Sequence, residues 1–434
     1  MNDLRTTIAY FAGPAQKAYN SGMRQSKLFS KTRREAPSDE VAKNAQLLIR
    51  AGYIHKEMAG VYSYLPLGLR TLNNIAAIIR AEMNALGGQE LFMTALQDKE
   101  VWSRTDRWDD EKVDIWFKTS FKSGGETGLA ITHEEPLTRI MSEHVSSYRD
   151  LPVLAYQFQT KFRNELRAKS GVMRGKEFLM KDLYSFAKND EEHKAVYSKV
   201  RDAYKRIFAK MGIGDKTFVT FASGGLFSQF SEEFQTLSDA GEDVIYVDEE
   251  KKLAVNKEVY TDENLAKLGL SKDVLTEQKA IEVGNIFSLG TRFSSQLGLT
   301  YTTETGAKEP VVMGSYGIGP TRLLGVIVEL LADEKGLVWP EHISPYEYHI
   351  VSVNQDEDIV KTADELYDDM VRNGIEVLYD DRQVSAGQKF AESDLLGITR
   401  RIVVGRDAVA TDMFEVVDRA TGAITKVARA ELTR

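Results

Sequence analysis

The 434-residue chain has no cysteine. That excludes disulfides and thiolate zinc sites and suits a reducing compartment. Its six histidines are scattered and form no H-E-x-x-H or similar ligand spacing, so a structural metal is not expected. No apolar run approaches the length of a bilayer-crossing helix. No GxxxxGKS or GxxxxGKT stretch occurs, and the glycines of Val312 to Leu324 lack G-x-G-x-x-G spacing, which excludes P-loop and Rossmann nucleotide sites. Internal repeats and low-complexity tracts are absent. Basic residues are the minority: the net charge is -9. That argues against a protein coating nucleic acid nonspecifically, but leaves room for a specific RNA partner held by a local basic patch.

What is present is a soluble, globular composition, 42% hydrophobic and 28% charged, on a chain long enough for two or three domains. Residues 1–22 carry few acids and read as a plain N-terminal extension, a weak transit-like segment being the alternative. Leu69, Leu72, Ile75, Ile79, Met83 and Leu86 have helical spacing that Gly87-Gly88 stops, and Gln89 to Ala95 then reads as a strand. Glu135 to Arg149, with Pro136 in its first turn, and Asp190 to Met211 read as helices; Asp243 to Asp248 and Pro310 to Gly314 read as strands. This irregular mixture predicts an α+β domain around a largely antiparallel sheet over residues 23–338. From residue 339 the pattern alternates. Strands Tyr348 to Val353, Ile375 to Tyr379 and Arg401 to Val404 are separated by helices Ile359 to Arg372 and Gly387 to Leu396, which predicts a small α/β domain with a parallel core over 339–434.

The densest chemistry lies around residue 163. Leu154, Tyr156, Phe158, Thr160 and Phe162 recur at a spacing of two, as do Phe178, Met180, Asp182, Tyr184 and Phe186. The resulting hairpin brings Arg163, Glu165 and Phe178 together, with Arg174 on the connecting loop. That outlines a nucleotide site: an arginine for a phosphate, a carboxylate for an adenine amino group, an aromatic face for the base.

This F-R-x-E, loop, R-x-x-x-F pattern resembles the second signature motif of class II aminoacyl-tRNA synthetases. The wording FRNELRAKSGVMRGKEFLMKDLYSF is similar to the bacterial-type prolyl-tRNA synthetase family, and the likeness runs from about Met23 to the C-terminus. The resemblance implies a class II catalytic domain followed by an anticodon-binding domain. It implies a proline–tRNA ligase that uses ATP and Mg2+ to activate L-proline and passes it to tRNA(Pro). The proline carboxylate is already ionised, so no general base is needed, and cations must bring two anions into line. By resemblance Arg163 takes the α-phosphate and the attacking carboxylate, Glu165 the adenine amino group and Arg174 the terminal phosphate, while Phe178 stacks on the base.

Val312 to Leu324 resembles the third motif, a strand running into a helix. Arg322 in its first turn joins Arg174 at the γ-phosphate, Gly319 lines the ATP site, and Ser315 and Gly317 line the proline site. Thr132-His133-Glu134 resembles the T-x-E loop, with Thr132 and Glu134 for the secondary ammonium. The same residues also match a capping box, Thr132 with Glu135. Glu282 is placed against Mg2+ or the ATP ribose and phosphates, and Phe287 against the proline ring. The chain departs from the family at Thr94 and Ile131, where proline is usual, at Asn285 for histidine, and at Ser288 for glutamine.

In the C-terminal domain the resemblance puts Arg382 and Lys389 near the anticodon. The helix and strand up to Ala95 match the first motif, which implies a homodimer. Only about forty residues separate Asp243 from Glu282, too few for an independent editing domain, so a separate deacylase acting in trans is the partner implied. A cytoplasmic setting is expected, or an organellar matrix if 1–22 is a transit segment. Two rivals remain: a class II enzyme for another amino acid such as threonine, disfavoured by the lack of a Cys/His zinc set, and a non-catalytic paralogue binding tRNA or protein.

Overall fold

The computed structural model describes residues 21–166, 170–223 and 230–434, so most of the expected N-terminal extension lies outside the described residues. They form two compact units. The larger comprises Glu57–Tyr62 and Ile75–Leu330; the smaller gathers the described residues up to Lys56, Ser63–Asn74 and Leu331–Arg434. Among the described residues no helix is long and apolar enough to cross a membrane.

The larger unit is built on a nine-stranded sheet. Its centre is four antiparallel strands in the order Thr276–Gly290, Val312–Ile318, Glu177–Ala187 and Val153–Phe162. The register sets chemistry in rows across the strands. Asn285 pairs with Gly317 and Gly317 with Asp182; Phe287 pairs with Ser315 and Ser315 with Tyr184. Since alternate residues share a face, each row presents three neighbouring side-chain positions.

The helix Asp190–Lys210 buries Val196, Val200, Ala203, Tyr204, Ile207 and Phe208, and Asn189 caps it by accepting from Glu192 N at 2.9 Å. Between Asp243 and Thr276 the chain makes two short strands and the helix Asp262–Leu268, over a small core of Phe218, Ile245, Val247, Ala254 and Ala280.

Several boundaries differ from the sequence expectation. The strand expected over Gln89 to Ala95 is only Gln89–Glu90, paired with Ala155 and Tyr156. Beyond it the Met93 amide donates to Gln157 Oε1 at 3.1 Å and its carbonyl accepts from Gln159, so side chains replace the ladder. The strand expected from Pro310 is instead Val312–Ile318. The helix expected to reach Arg149 is Glu134–His144, because Ser147 starts a separate turn, Tyr148–Asp150, with its own capping box.

The smaller unit has a six-stranded sheet in the order Gly22–Arg24, Val377–Asp380, Tyr348–Ser352, Arg400–Val404, Met413–Asp418, Ile424–Ala428. The first four strands are parallel and the last two antiparallel. The helix Glu357–Arg372 covers it with Ile359, Ala363, Leu366 and Met370. The division expected between 22 and 23, with 23–338 as one domain, is corrected here. Gly22–Arg24 is the edge strand of this sheet, and Gln25 N donates to Tyr379 O at 2.7 Å. A three-residue strand carries no periodicity of its own; its partner supplies the reason it is extended.

Candidate active site

Two adjoining clefts open on the larger unit's central strands, about 470 and 800 Å3 in volume. Arg163, Met180, Asn285 and Gly317 line both. A Cβ at Gly317 would come within 2.9 Å of Asn285 Oδ1, so a larger residue there would crowd the passage between them.

The first cleft collects Arg163, Glu165, Arg174, Phe178, Glu282, Gly319 and Arg322. The Arg163 guanidinium carbon lies 5.3 Å from the Phe178 ring centre, within cation–π reach. Its Nη2 and Nε make long bonds, 3.3 and 3.4 Å, to Ile131 O, and among the described residues Nη1 has no hydrogen-bond partner. Burial and the neighbouring Arg322 charge pull its pKa below the usual arginine value. Arg322, in the first turn of helix Pro320–Leu331, donates to Glu282 O at 2.8 Å, Glu282 Oε2 at 3.1 Å and Met173 O at 3.0 Å. Arg174 donates to Glu165 Oε2 at 2.9 and 3.2 Å and to Glu242 Oε2 at 2.7 Å. Three guanidiniums and one aromatic face therefore surround one space, each held by a carboxylate, a carbonyl or a ring.

The second cleft collects Thr132, Glu134, Phe287, Ser315 and Gly317. Glu134 Oε1 accepts from Thr132 Oγ1 at 2.8 Å and Ser315 Oγ at 3.3 Å. Its Oε2 lies 3.1 Å from Arg107 Nη1. Burial opposes ionisation of Glu134, but the Arg107 charge and the Thr132 hydroxyl outweigh it and hold the carboxyl below its ordinary range. The expected capping box does not form: His133 occupies the N-cap position without a side-chain cap, and Thr132 turns its hydroxyl to Glu134.

Two residues whose roles sequence reasoning did not place, Arg107 and Asp182, also line this cleft. Arg107 lines it and bridges Glu134 and Glu135. It follows the short helix Lys99–Ser103 in a stretch with no periodicity, one of two arginines between Trp102 and Trp108, and lies 5.0 Å from the Trp102 ring. Asp182 Oδ2 accepts from Lys161, Gln157 and Tyr184, each at 3.0 Å, while its buried Oδ1 has no hydrogen-bond partner among the described residues. A carboxylate within the inward run from Phe178 to Phe186 was visible evidence of a polar site. Lys161 Nζ also meets His133 Nδ1, and His133 Nε2 lies 3.0 Å from Thr94 O. Burial, then the Lys161 charge, lowers the imidazole pKa to about 4, so the ring is neutral.

The two residues expected near the anticodon are both engaged within the protein. Lys389 is fully buried. Its ammonium donates to Ser352 Oγ at 2.9 Å and Asp380 O at 3.0 Å, so it presents no charge to RNA. Arg382 is clamped at 2.7 and 2.8 Å by Asp380 and at 2.7 Å by Glu392. Charge pattern alone did not distinguish an inward lysine from an outward one.

An antiparallel sheet carrying these motif residues defines a class II aminoacyl-tRNA synthetase core, and the family described as tRNA synthetase class II core domain (G, H, P, S and T) matches residues 117–330. The anticodon binding domain family matches 347–434. The chain belongs to the proline–tRNA ligase family. The proline–tRNA ligases of Rickettsia africae and Rickettsia conorii are each 34% identical to it over 416 residues, covering 93% of this chain and 97% of the relative. That of Bacillus subtilis is 31% identical over 561 residues, covering 95% of this chain and 99% of the relative. The latter alignment is longer than the chain itself, so that relative has residues without a counterpart here. The fold matches prolyl-tRNA synthetase from Cryptosporidium parvum complexed with L-proline and AMP, with TM-score 0.72 and 17% identity over 90% of this chain and 73% of that one. The same enzyme complexed with halofuginone and AMPPNP gives TM-score 0.73, again at 17% identity, over 90% and 75% of the two chains. The activity of this chain is its family's: it ligates proline to tRNA.

Proposed function

We propose that the first cleft holds ATP and the second L-proline, so that the shared Arg163 meets both the α-phosphate and the proline carboxylate. The observation that carries this reading is the convergence of Arg163, Arg174, Arg322 and Phe178 on one space that joins a second lined by Thr132 and Glu134. Arg163 lowers the repulsion between carboxylate and phosphate and holds them in line. Arg322 and Arg174 take negative charge on the departing pyrophosphate. Arg174 must first exchange Glu165 for phosphate, which frees Glu165 for the adenine amino group. Glu134, with Thr132 and Ser315 on its Oε1, accepts from the proline ammonium. Phe287 walls the ring, and Gly319 admits the nucleotide to the backbone.

For Mg2+ the chain offers Glu282, a hard oxygen ligand in the ATP cleft. Among the described residues no cluster of three or more ligating side chains forms a metal cage. A lone carboxylate fits an ion that arrives on the nucleotide, since Mg2+ takes one or two carboxylates beside the phosphates. When bound, the ion neutralises phosphate charge. Burial and then the Glu282 charge raise the neighbouring Glu233 to about 7, while Glu282 itself is ion-paired with Arg322 at 3.1 Å.

The reading includes tRNA(Pro) as acceptor and a cytoplasmic homodimer. Phe92 (80% exposed) and Leu96 (52%) support the dimer as apolar surface beside the shortened first-motif strand. It also includes a separate deacylase that clears Ala-tRNA, supported by the short segment between Asp243 and Glu282. Pyrophosphate exchange measured with each amino acid tests the substrate: proline supports exchange, and exchange driven best by another amino acid would refute the assignment. Light scattering of the purified chain tests the dimer.

A further inference from the structure

With Lys389 buried and Arg382 clamped, the smaller unit's outward positive charge lies elsewhere. Arg400, Arg401 and Arg419 are likewise held by Glu341, Asp394 and Asp333. The segment after the edge strand Gly22–Arg24 is different. It is fixed to the sheet at alternate points: Gln25 Oε1 lies 3.0 Å from His349 Nε2, Ser26 donates to the Asp381 carboxylate at 2.6 and 2.8 Å, and Leu28 is buried. Between and beyond these anchors Lys27, Phe29, Lys31, Arg33 and Arg34 are exposed, Phe29 to 72%.

Among the described residues none of these four cations is ion-paired, whereas the neighbouring Arg24 is paired with Asp364 and Lys56 with Asp39 and Glu40. Glu35 is the sole acid between 27 and 38. The segment leaves the sheet at the carboxyl ends of parallel strands, the end at which open α/β sheets bind ligands.

We propose that residues 27–34 form a tRNA-contacting strap, with Lys27, Lys31, Arg33 and Arg34 on phosphates and Phe29 as a platform for an unpaired base. Charge complementarity selects the occupant: a concentrated positive strip on a protein of net charge -9 suits the polyanion this family charges. The anchors through Gln25, Ser26 and Leu28 hold the strip in one orientation, which lowers the ordering cost of binding.

The inference rests on the tRNA-charging reading, and pyrophosphate exchange, which needs no tRNA, keeps the two separable. In the full-length variant Lys27→Gln/Lys31→Gln/Arg33→Gln/Arg34→Gln, proline-dependent exchange stays at the parent rate. The affinity for tRNA(Pro) transcript falls at least about tenfold, and the slope of log K against log salt shrinks by roughly 3, at about 0.7–0.9 per lost phosphate contact. Phe29→Ala weakens tRNA binding by about 5–150-fold, as loss of one stacking platform does, with little change in the salt slope. Unchanged tRNA affinity and slope in the fourfold variant overturn the proposal. Parallel loss of exchange and tRNA binding also overturns it, since these residues would then be supporting the fold.

Discussion

Arg107 Nη1 lies 3.0 and 3.1 Å from the two carboxylate oxygens of Glu135. The same nitrogen reaches Glu134, so one guanidinium serves two buried acids in adjacent positions. They cannot both be ionised at equal cost. Glu134, with Thr132 as a second donor, stays charged. Burial, opposed by Arg107 and reinforced by the Glu134 charge, pushes Glu135 up to about 7. A bound proline ammonium would supply the second cation this pair lacks.

This pair should appear in the pH dependence of stability. The folded state binds a proton at Glu135 that the unfolded chain releases near 4.5, so stability falls as pH rises from about 4.5 to 7. His133 acts in the opposite direction. Its lowered pKa means that stability falls as pH drops from about 6.5 towards 4. The two slopes oppose one another between about pH 4.5 and 6.5, so their summed effect on urea midpoints should be nearly flat there, and Glu135→Gln, which removes only the falling contribution, should give midpoints that rise from about pH 4 to 6.5.

Arg163→Lys retains the charge and loses the planar fork. Proline-dependent pyrophosphate exchange should drop by roughly 10^2–10^3 in kcat, the usual cost of removing one fixed donor to a developing anion. A change confined to KM would instead mean that Arg163 binds the ground state and the transition state equally.

Lys389→Glu places a carboxylate in a buried site whose present partners are Ser352 Oγ and the Asp380 carbonyl. Thermal unfolding should show a large loss, on the order of 3–5 kcal/mol. Lys389→Met, which fills similar volume without charge, should lose only about 1–3 kcal/mol and retain tRNA affinity. A selective loss of tRNA binding in the methionine variant would restore Lys389 as an RNA contact.

Alanine is smaller than proline, and an apolar pocket rejects a smaller rival by only about 10–200-fold per methylene. The purified chain should form alanyl-adenylate at a measurable rate and leave added Ala-tRNA(Pro) intact over minutes. Rapid deacylation would show a clearing activity within the chain.

The convergence of Arg163, Phe178 and Arg322 on one cleft was legible because these residues lie on strands with clear alternation or beside motif spacing. Arg107 was harder, since nothing local in an aperiodic loop reveals which carboxylates it will meet. Asp182 belongs to the run of twos from Phe178 to Phe186, but Lys161 belongs to the alternate set of its own strand, opposite the apolar run Leu154 to Phe162, and their mutual contact depends on pairing between strands. Lys389 misled because a lysine on a helix is normally outward, and only tertiary packing reveals the exception. The edge strand Gly22–Arg24 was invisible for the reason already given: its conformation is imposed by residues far along the chain.

Ser26 and Asp381 are 355 positions apart in the chain. A ribosome therefore delivers the edge strand first and its neighbour among the last, with most of the larger unit made in between. The smaller unit cannot finish until nearly the whole polypeptide has emerged. An aborted, prematurely terminated product would keep the arginines of the first cleft yet have no docking place for its basic leading segment.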